Sequence, residues 1–169
     1  MHERIFSRLA REFRTPKAVQ RFLRTFEYNS EKKIETQRSA LSALRKEEAH
    51  CLEAALIAAA ILEHRGIEPR VLSLESQDDL DHVVFAFQEN GHWGAISRSR
   101  DEGLHGRAPQ FKSLKALVNS YFDPYVDASG RITGFALAPL EAARVNWRAS
   151  PRNLWKLEQY LIDYRHQKF

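Results

Sequence analysis

Cysteine is almost missing: the only one in 169 residues is Cys51. One thiol excludes an intramolecular disulfide framework and any cysteine-rich zinc module, and makes a reducing cytoplasm the expected compartment. Glycine and proline are scarce, at seven and six. No repeat, low-complexity tract or linker divides the chain, so one domain is expected over residues 1–169. Long apolar runs are absent too. The most apolar stretch, Leu52–Leu62, falls short of the ~18 residues of a membrane span and is too rich in alanine. The opening residues, MHERIFSRLAREFR, lack the apolar stretch and cleavage site of a secretory signal. No C-x-x-C or H-x-x-x-H spacing is present. A metal site from His50, Cys51 and His82, with His92 or His105 added, therefore has no spacing behind it, and neither metal nor cofactor is expected. Nothing in the pattern specifies an oligomeric state.

The excess of one charge sign is small, +4 overall, and gathers at the start. Arg4, Arg8, Arg11, Arg14, Lys17, Arg21 and Arg24 invite comparison with a nucleic-acid face, which is the less favoured reading. Phe6, Phe13, Phe22 and Phe26 recur at helical spacing. The simpler reading is a pair of amphipathic helices whose basic sides are solvated.

The first helix is expected over residues 3–14. The second opens at Thr15-Pro16 as N-cap and N1 and runs to about Phe26. A third is expected within Glu31–Glu47, at least from Thr36, with a kink or tight turn at Ala49-His50. The cysteine helix then runs from Cys51 to about Arg65, closed by Gly66 in a left-handed C-terminal position and by Pro69 beyond. These make residues 1–35 an N-terminal helical region and 36–100 the core.

After Gly66 the texture becomes that of strands: Arg70–Leu74, His82–Gln88 and His92–Ser97. Asn90-Gly91 between two such runs is a strong hairpin signal. With a two-residue loop, Glu89 faces His92 and paired numbers sum to 181. His82 then lies opposite Ser99 with Ser97 as its diagonal neighbour, and Trp93, Ala95 and Asp101 share that parity. Ser99–Pro109 reads as a polar loop, Ser113–Phe122 as a short helix, and Asp123–Gly130 as another loop. Ile132–Leu137 reads as a further strand. Ser150-Pro151 is expected to open a last helix through about Arg165, with Leu154, Trp155, Leu157, Leu161 and Ile162 inward. Residues 101–169 form a C-terminal extension. Helices followed by antiparallel strands make an α+β protein.

Chemistry concentrates at Cys51. A thiol in the first turn of a helix meets unpaired N–H groups and the positive end of the helix dipole, which favour the thiolate. A histidine at the head of the next strands, His82, supplies a base for such a nucleophile. Ser97, Ser99 or Asp101 would orient the imidazole. The bland readings are an inert core cysteine and a half-buried His82 bonded to Asp79 or Asp81. Asp78-Asp79-x-Asp81 lacks the glycine and closing glutamate of a calcium loop. Trp93 is a core anchor or a cleft wall.

Cys51 with Ala55, then Gly66-Ile67-x-Pro69-Arg70-Val71, Asp81-His82 and Gly91-x-Trp93, resembles the transglutaminase-like superfamily core, over residues 36–100. The resemblance is to its bacterial branch, and members also include cysteine peptidases and peptide N-glycanases. It implies a papain-like fold, with a cysteine-bearing helix packed on a small antiparallel sheet. It further implies acyl transfer through a thioester on a peptide or protein substrate, with Cys51 as nucleophile and His82 as base. The family's acidic third member falls here on Ser97, which lacks charge; Asp101 is the charged substitute if the strand end curls back. The glycine two before the cysteine is Ala49 here, and the Pro-x-Arg is compressed to Pro69-Arg70. The rival class is a peptide- or protein-binding module that kept the fold and lost the chemistry.

Overall fold

The computed structural model describes residues 1–77, 81–122 and 132–168; the expectations for Asp78, Asp79 and 123–130 lie outside them. Two amphipathic helices lead, α1 (His2–Glu12) and α2 (Pro16–Arg24). Thr15 Oγ1 accepts the Ala18 N–H at 3.1 Å, the expected cap. The apolar sides bury Phe6, Leu9, Val19 and Leu23, and all seven basic residues of this region are exposed.

A short strand, β1 (Glu27–Tyr28), leads into a segment where the expected helix fails except at α3 (Ala40–Lys46). The reason is that side chains take its amides before a helix can. Asn29 Oδ1 accepts Glu31 N–H, Glu31 Oε1 accepts Thr36 N–H, Asn153 Oδ1 accepts Gln37 N–H and Glu53 Oε1 accepts Arg38 N–H. Strand β2 (Glu48–Ala49) pairs in parallel with β1. Helix α4 (Cys51–Leu62) follows, with Leu52 through Leu62 all buried. It ends through a 3-10 turn and Gly66 at φ +81°, as its sequence predicts.

The remaining elements are β3 (Arg70–Ser76), β4 (His82–Glu89), β5 (His92–Ile96), β6 (Arg107–Phe111), α5 (Leu114–Asn119), β7 (Ile132–Pro139), α6 (Trp155–Asp163) and β8 (Gln167–Lys168). Six strands form an antiparallel sheet in the order β6-β5-β4-β3-β7-β8. The hairpin register is the predicted one, Glu89 opposite His92, with Asn90 and Gly91 both at positive φ. Its ladder ends at Phe85–Ile96, so the expected pairing of His82 with Ser99 does not form.

Alternation along β4 sorts the two cores. Val83, Phe85 and Phe87 pack with α4 and the helices around it. Val84 and Ala86 join Leu117, Val118 and Tyr121 on the other face, with Trp93 against that second core. The fold is thus α+β, a cysteine-bearing helix on an antiparallel sheet.

Two expectations need correction. Strand β6 lies in a stretch read as loop; Pro109 is tolerated because β6 is an edge strand, and Leu104 and His105 just before it are buried. The last helix starts at Trp155, not Pro151. Ser150 Oγ accepts the Arg152 N–H at 3.1 Å in a local turn instead of capping a helix. With the start shifted, Trp155 and Ile162 emerge 46% and 57% exposed rather than inward.

Candidate active site

Cys51 is the first residue of α4 and is half-buried. The cap that the sequence concealed is His50, a residue type seldom used there. Its Nδ1 faces the Glu53 N–H at 3.4 Å, and Glu53 Oε2 accepts the His50 N–H at 3.1 Å, closing a capping box. The His50 Nε2–H donates to the Thr36 carbonyl at 2.9 Å. Ala54 N–H goes to the His50 carbonyl. The N–H groups of Cys51 and Leu52 belong to the first turn and are directed as helix-start amides are.

His82 heads β4 and is buried. Its Nε2 lies 2.9 Å from the Leu104 carbonyl and 3.2 Å from Ser97 Oγ. A carbonyl only accepts, so Nε2 carries a proton, and Nδ1 is the nitrogen left to take up and give back a proton. The Tyr121 ring stands edge-on at 6.0 Å. Ser97 is in turn held by α2: Gln20 Nε2 donates to its carbonyl at 2.8 Å, and Gln20 Oε1 accepts its N–H at 2.9 Å. A side-chain amide thus stands in for a strand partner where the β4–β5 ladder has ended. Gly106 makes room for it, since a Cβ there would sit 2.1 Å from Gln20 Oε1. Replacing Gln20 with alanine strips both bonds from a buried backbone. The expected loss is about 1–3 kcal/mol, read as a lower urea midpoint with unchanged slope.

Asp101 is elsewhere. It precedes the 3-10 turn Glu102–Leu104, its side chain is 56% exposed, and its carboxylate lies 3.7 Å from Arg100 Nε. The Ser99 hydroxyl accepts the Asp101 N–H. His92 turns to the Asn90 carbonyl, and among the described residues no group of three His, Cys, Asp or Glu is placed to hold a metal ion.

An open cleft of about 380 Å³ reaches Cys51. Tyr28, Thr36, His50, Ser73 and Val83 line it together with Trp155, Leu161 and Ile162 of α6. Glu31, Glu35, Asp81 and Glu158 add four carboxylates, and no lysine or arginine is among the lining residues. Burial, then the charges of Glu35 and Glu31, raises the pKa of Glu158.

Burial pushes the Cys51 thiol up, but hydrogen bonding to His50 and His82 and their positive charges overcome this and bring it down to about 5. Burial likewise disfavours a charged His50; the Cys51 contact, the charges of Glu53 and Cys51, and the Thr36 carbonyl more than reverse it, to about 9. Burial and the neighbouring thiolate push Tyr28 up to about 12, so its phenol stays protonated. The protonated and neutral rings of His50 do different jobs: the neutral one accepts the Glu53 N–H, and the charged one balances the thiolate.

A thiol of this kind beside an imidazole, on the first turn of a helix against an antiparallel sheet, defines the transglutaminase-like, cysteine-protease-like class. Within it the chain belongs to the vasohibin family, whose model matches residues 11–135. No curated protein sequence matches the chain significantly. No described helix is long and apolar enough to cross a membrane.

Proposed function

We propose that this protein is a cysteine-dependent enzyme that attacks an amide of a peptide or protein, hydrolysing it or transferring the acyl group. The observation that carries this reading is a depressed thiol open to a cleft and flanked by two imidazoles. Cys51 Sγ adds to the amide carbonyl, and the N–H groups of Cys51 and Leu52 hold the oxyanion that forms. The thiol proton has passed to His82 Nδ1, so the C–N bond then breaks as His82 delivers that proton to the departing amine, leaving a thioester on Cys51. Water or an amine attacks the thioester, gives its proton to His82, and releases Cys51 as thiolate. Ser97 and the Leu104 carbonyl keep the imidazole in the orientation for both transfers.

The carboxylates lining the cleft favour a substrate with a lysine or arginine side chain near the reacting amide. Turnover of fluorogenic peptides tests both statements. Amides flanked by Lys or Arg are expected to react faster than the matching Asp or Glu peptides, with the ratio shrinking as salt rises. The acid limb of kcat/KM should lie near the Cys51 value of about 5. A chain that binds such peptides without turnover, and binds them equally well as Cys51→Ala, is a binding module instead.

A further inference from the structure

The apolar run of α4 contains one charged residue, Glu53, and that residue is completely inaccessible. Removing a carboxylate from water costs several kcal/mol unless its lone pairs are met. Here all are. Oε1 accepts from Thr36 Oγ1 at 3.1 Å and Arg38 N at 3.0 Å; Oε2 accepts from Asn29 Nδ2 at 3.0 Å and His50 N at 3.1 Å. The Asn29 amide also donates to the Thr36 hydroxyl at 2.7 Å, which fixes the direction of the chain of donors.

None of these four donors carries a charge, so the negative charge is solvated but not neutralised by them. Among the described residues, the group within ion-pair distance that can neutralise it is the His50 ring, whose Nε2 lies 3.6 Å from Oε1. The other charged or titratable groups facing that ring are Glu31 at 3.8 Å, Cys51, and Glu158 across the cleft from α6. At His82 the situation is the opposite: both partners of its Nε2, the Leu104 carbonyl and Ser97 hydroxyl, are uncharged.

We propose that Glu53 is the carboxylate of this site, a positioning residue acting through His50 instead of through His82. It holds His50 beside the Cys51 thiol as an imidazolium, so that the fixed positive charge sustaining the thiolate comes from one histidine and proton transfer from the other. Thr36 serves both ends, its hydroxyl donating to Glu53 and its carbonyl accepting from His50. The 3.4 Å approach of the Glu53 N–H to His50 Nδ1 is the longest bond of the cap, and it is the one an imidazolium gives up.

This inference rests on the reading of Cys51 as a nucleophile, and the test separates the two. The rate of iodoacetamide alkylation is followed against pH in the folded wild type, Glu53→Gln, His50→Gln and the double variant. Alkylation reads the thiolate directly and needs no substrate. Each single variant is expected to raise the alkylation midpoint by at least about one pH unit, roughly tenfold less thiolate on the acid side, and the double variant by no more than the larger single shift. A purely structural Glu53 would lower the melting temperature and leave the midpoint in place. An unchanged midpoint in folded Glu53→Gln, or in His50→Gln, overturns the proposal. If Glu53→Gln does not fold, His50→Gln decides, since it leaves the buried carboxylate intact. A wild-type midpoint near the ~8.5 of a free thiol instead sinks the nucleophile reading itself.

Discussion

Iodoacetamide should label Cys51 of the folded wild type at a nearly constant rate from about pH 9 down to about pH 6, with half the rate remaining near the thiol's value of about 5. Because there is one cysteine, mass spectrometry reads that site without ambiguity. In the unfolded chain the midpoint returns to ~8.5. His82→Ala should raise the folded midpoint, because it removes one of the two imidazoles that stabilise the thiolate. Cys51→Ala abolishes labelling and is expected to lower peptide turnover by at least about 10⁴-fold, since no other thiol can take the acyl group. Retained turnover in Cys51→Ala would place the chemistry elsewhere. The same shifts set the pH range of stability. A depressed thiol contributes stability that is complete above ~8.5 and is lost as pH falls through about 5. A raised imidazole contributes stability that is complete below ~6.5 and is lost as pH rises through about 9. The two describe one interaction, intact only between the outer limits, so melting temperature should fall off on both sides.

Trp147→Ala should be among the most destabilising single changes, at about 3–5 kcal/mol. The ring is completely buried and sits in the core built around α4. Its Nε1–H donates to Glu141 at 3.3 Å, the Arg148 guanidinium lies 4.1 Å from the ring centroid, and its carbonyl accepts the Ala40 N–H at 3.0 Å. Truncation therefore opens a large cavity and loosens the strap that ties the start of α3 to the C-terminal third. Urea denaturation checks this through the midpoint, with the slope unchanged. Trp155→Ala is the control. With its ring 46% exposed at the cleft mouth, it should shift stability by less than about 1 kcal/mol and raise KM. Equal losses for the two tryptophans would contradict the burial seen here.

Wherever a local rule operates alone, the sequence was readable. Thr15-Pro16, Gly66 and Asn90-Gly91 sit where their backbone chemistry predicts, and hairpin arithmetic makes Ser97 a diagonal neighbour of His82, whose Nε2 its hydroxyl meets at 3.2 Å. What escaped was set by tertiary partners. The helix expected over 31–47 lost its first half to amides claimed by Glu31, Glu53 and Asn153. The strand around Pro109 is held by pairing at an edge, and Ser150-Pro151 has the form of a cap without its function. Trp155 and Ile162 look apolar in sequence, and only the orientation of α6 turns them to the cleft. The cap at His50 had one visible trace, a lone glutamate three residues on inside an otherwise apolar run. A Ser or Thr at position 50 would have made the capping box plain; histidine concealed it.

Helix α4 has no solvent-facing side, since every residue after the first is buried and it meets the cleft only at its first two residues. Its amide hydrogens should exchange with deuterium only when the whole structure opens, whereas those of α6, with Trp155 and Ile162 exposed, should exchange through local fraying. The two helices that line the cleft therefore belong to different tiers of stability. On warming, peptide affinity should decline through α6 well before the thiol loses its depressed titration, which would disappear together with the fold.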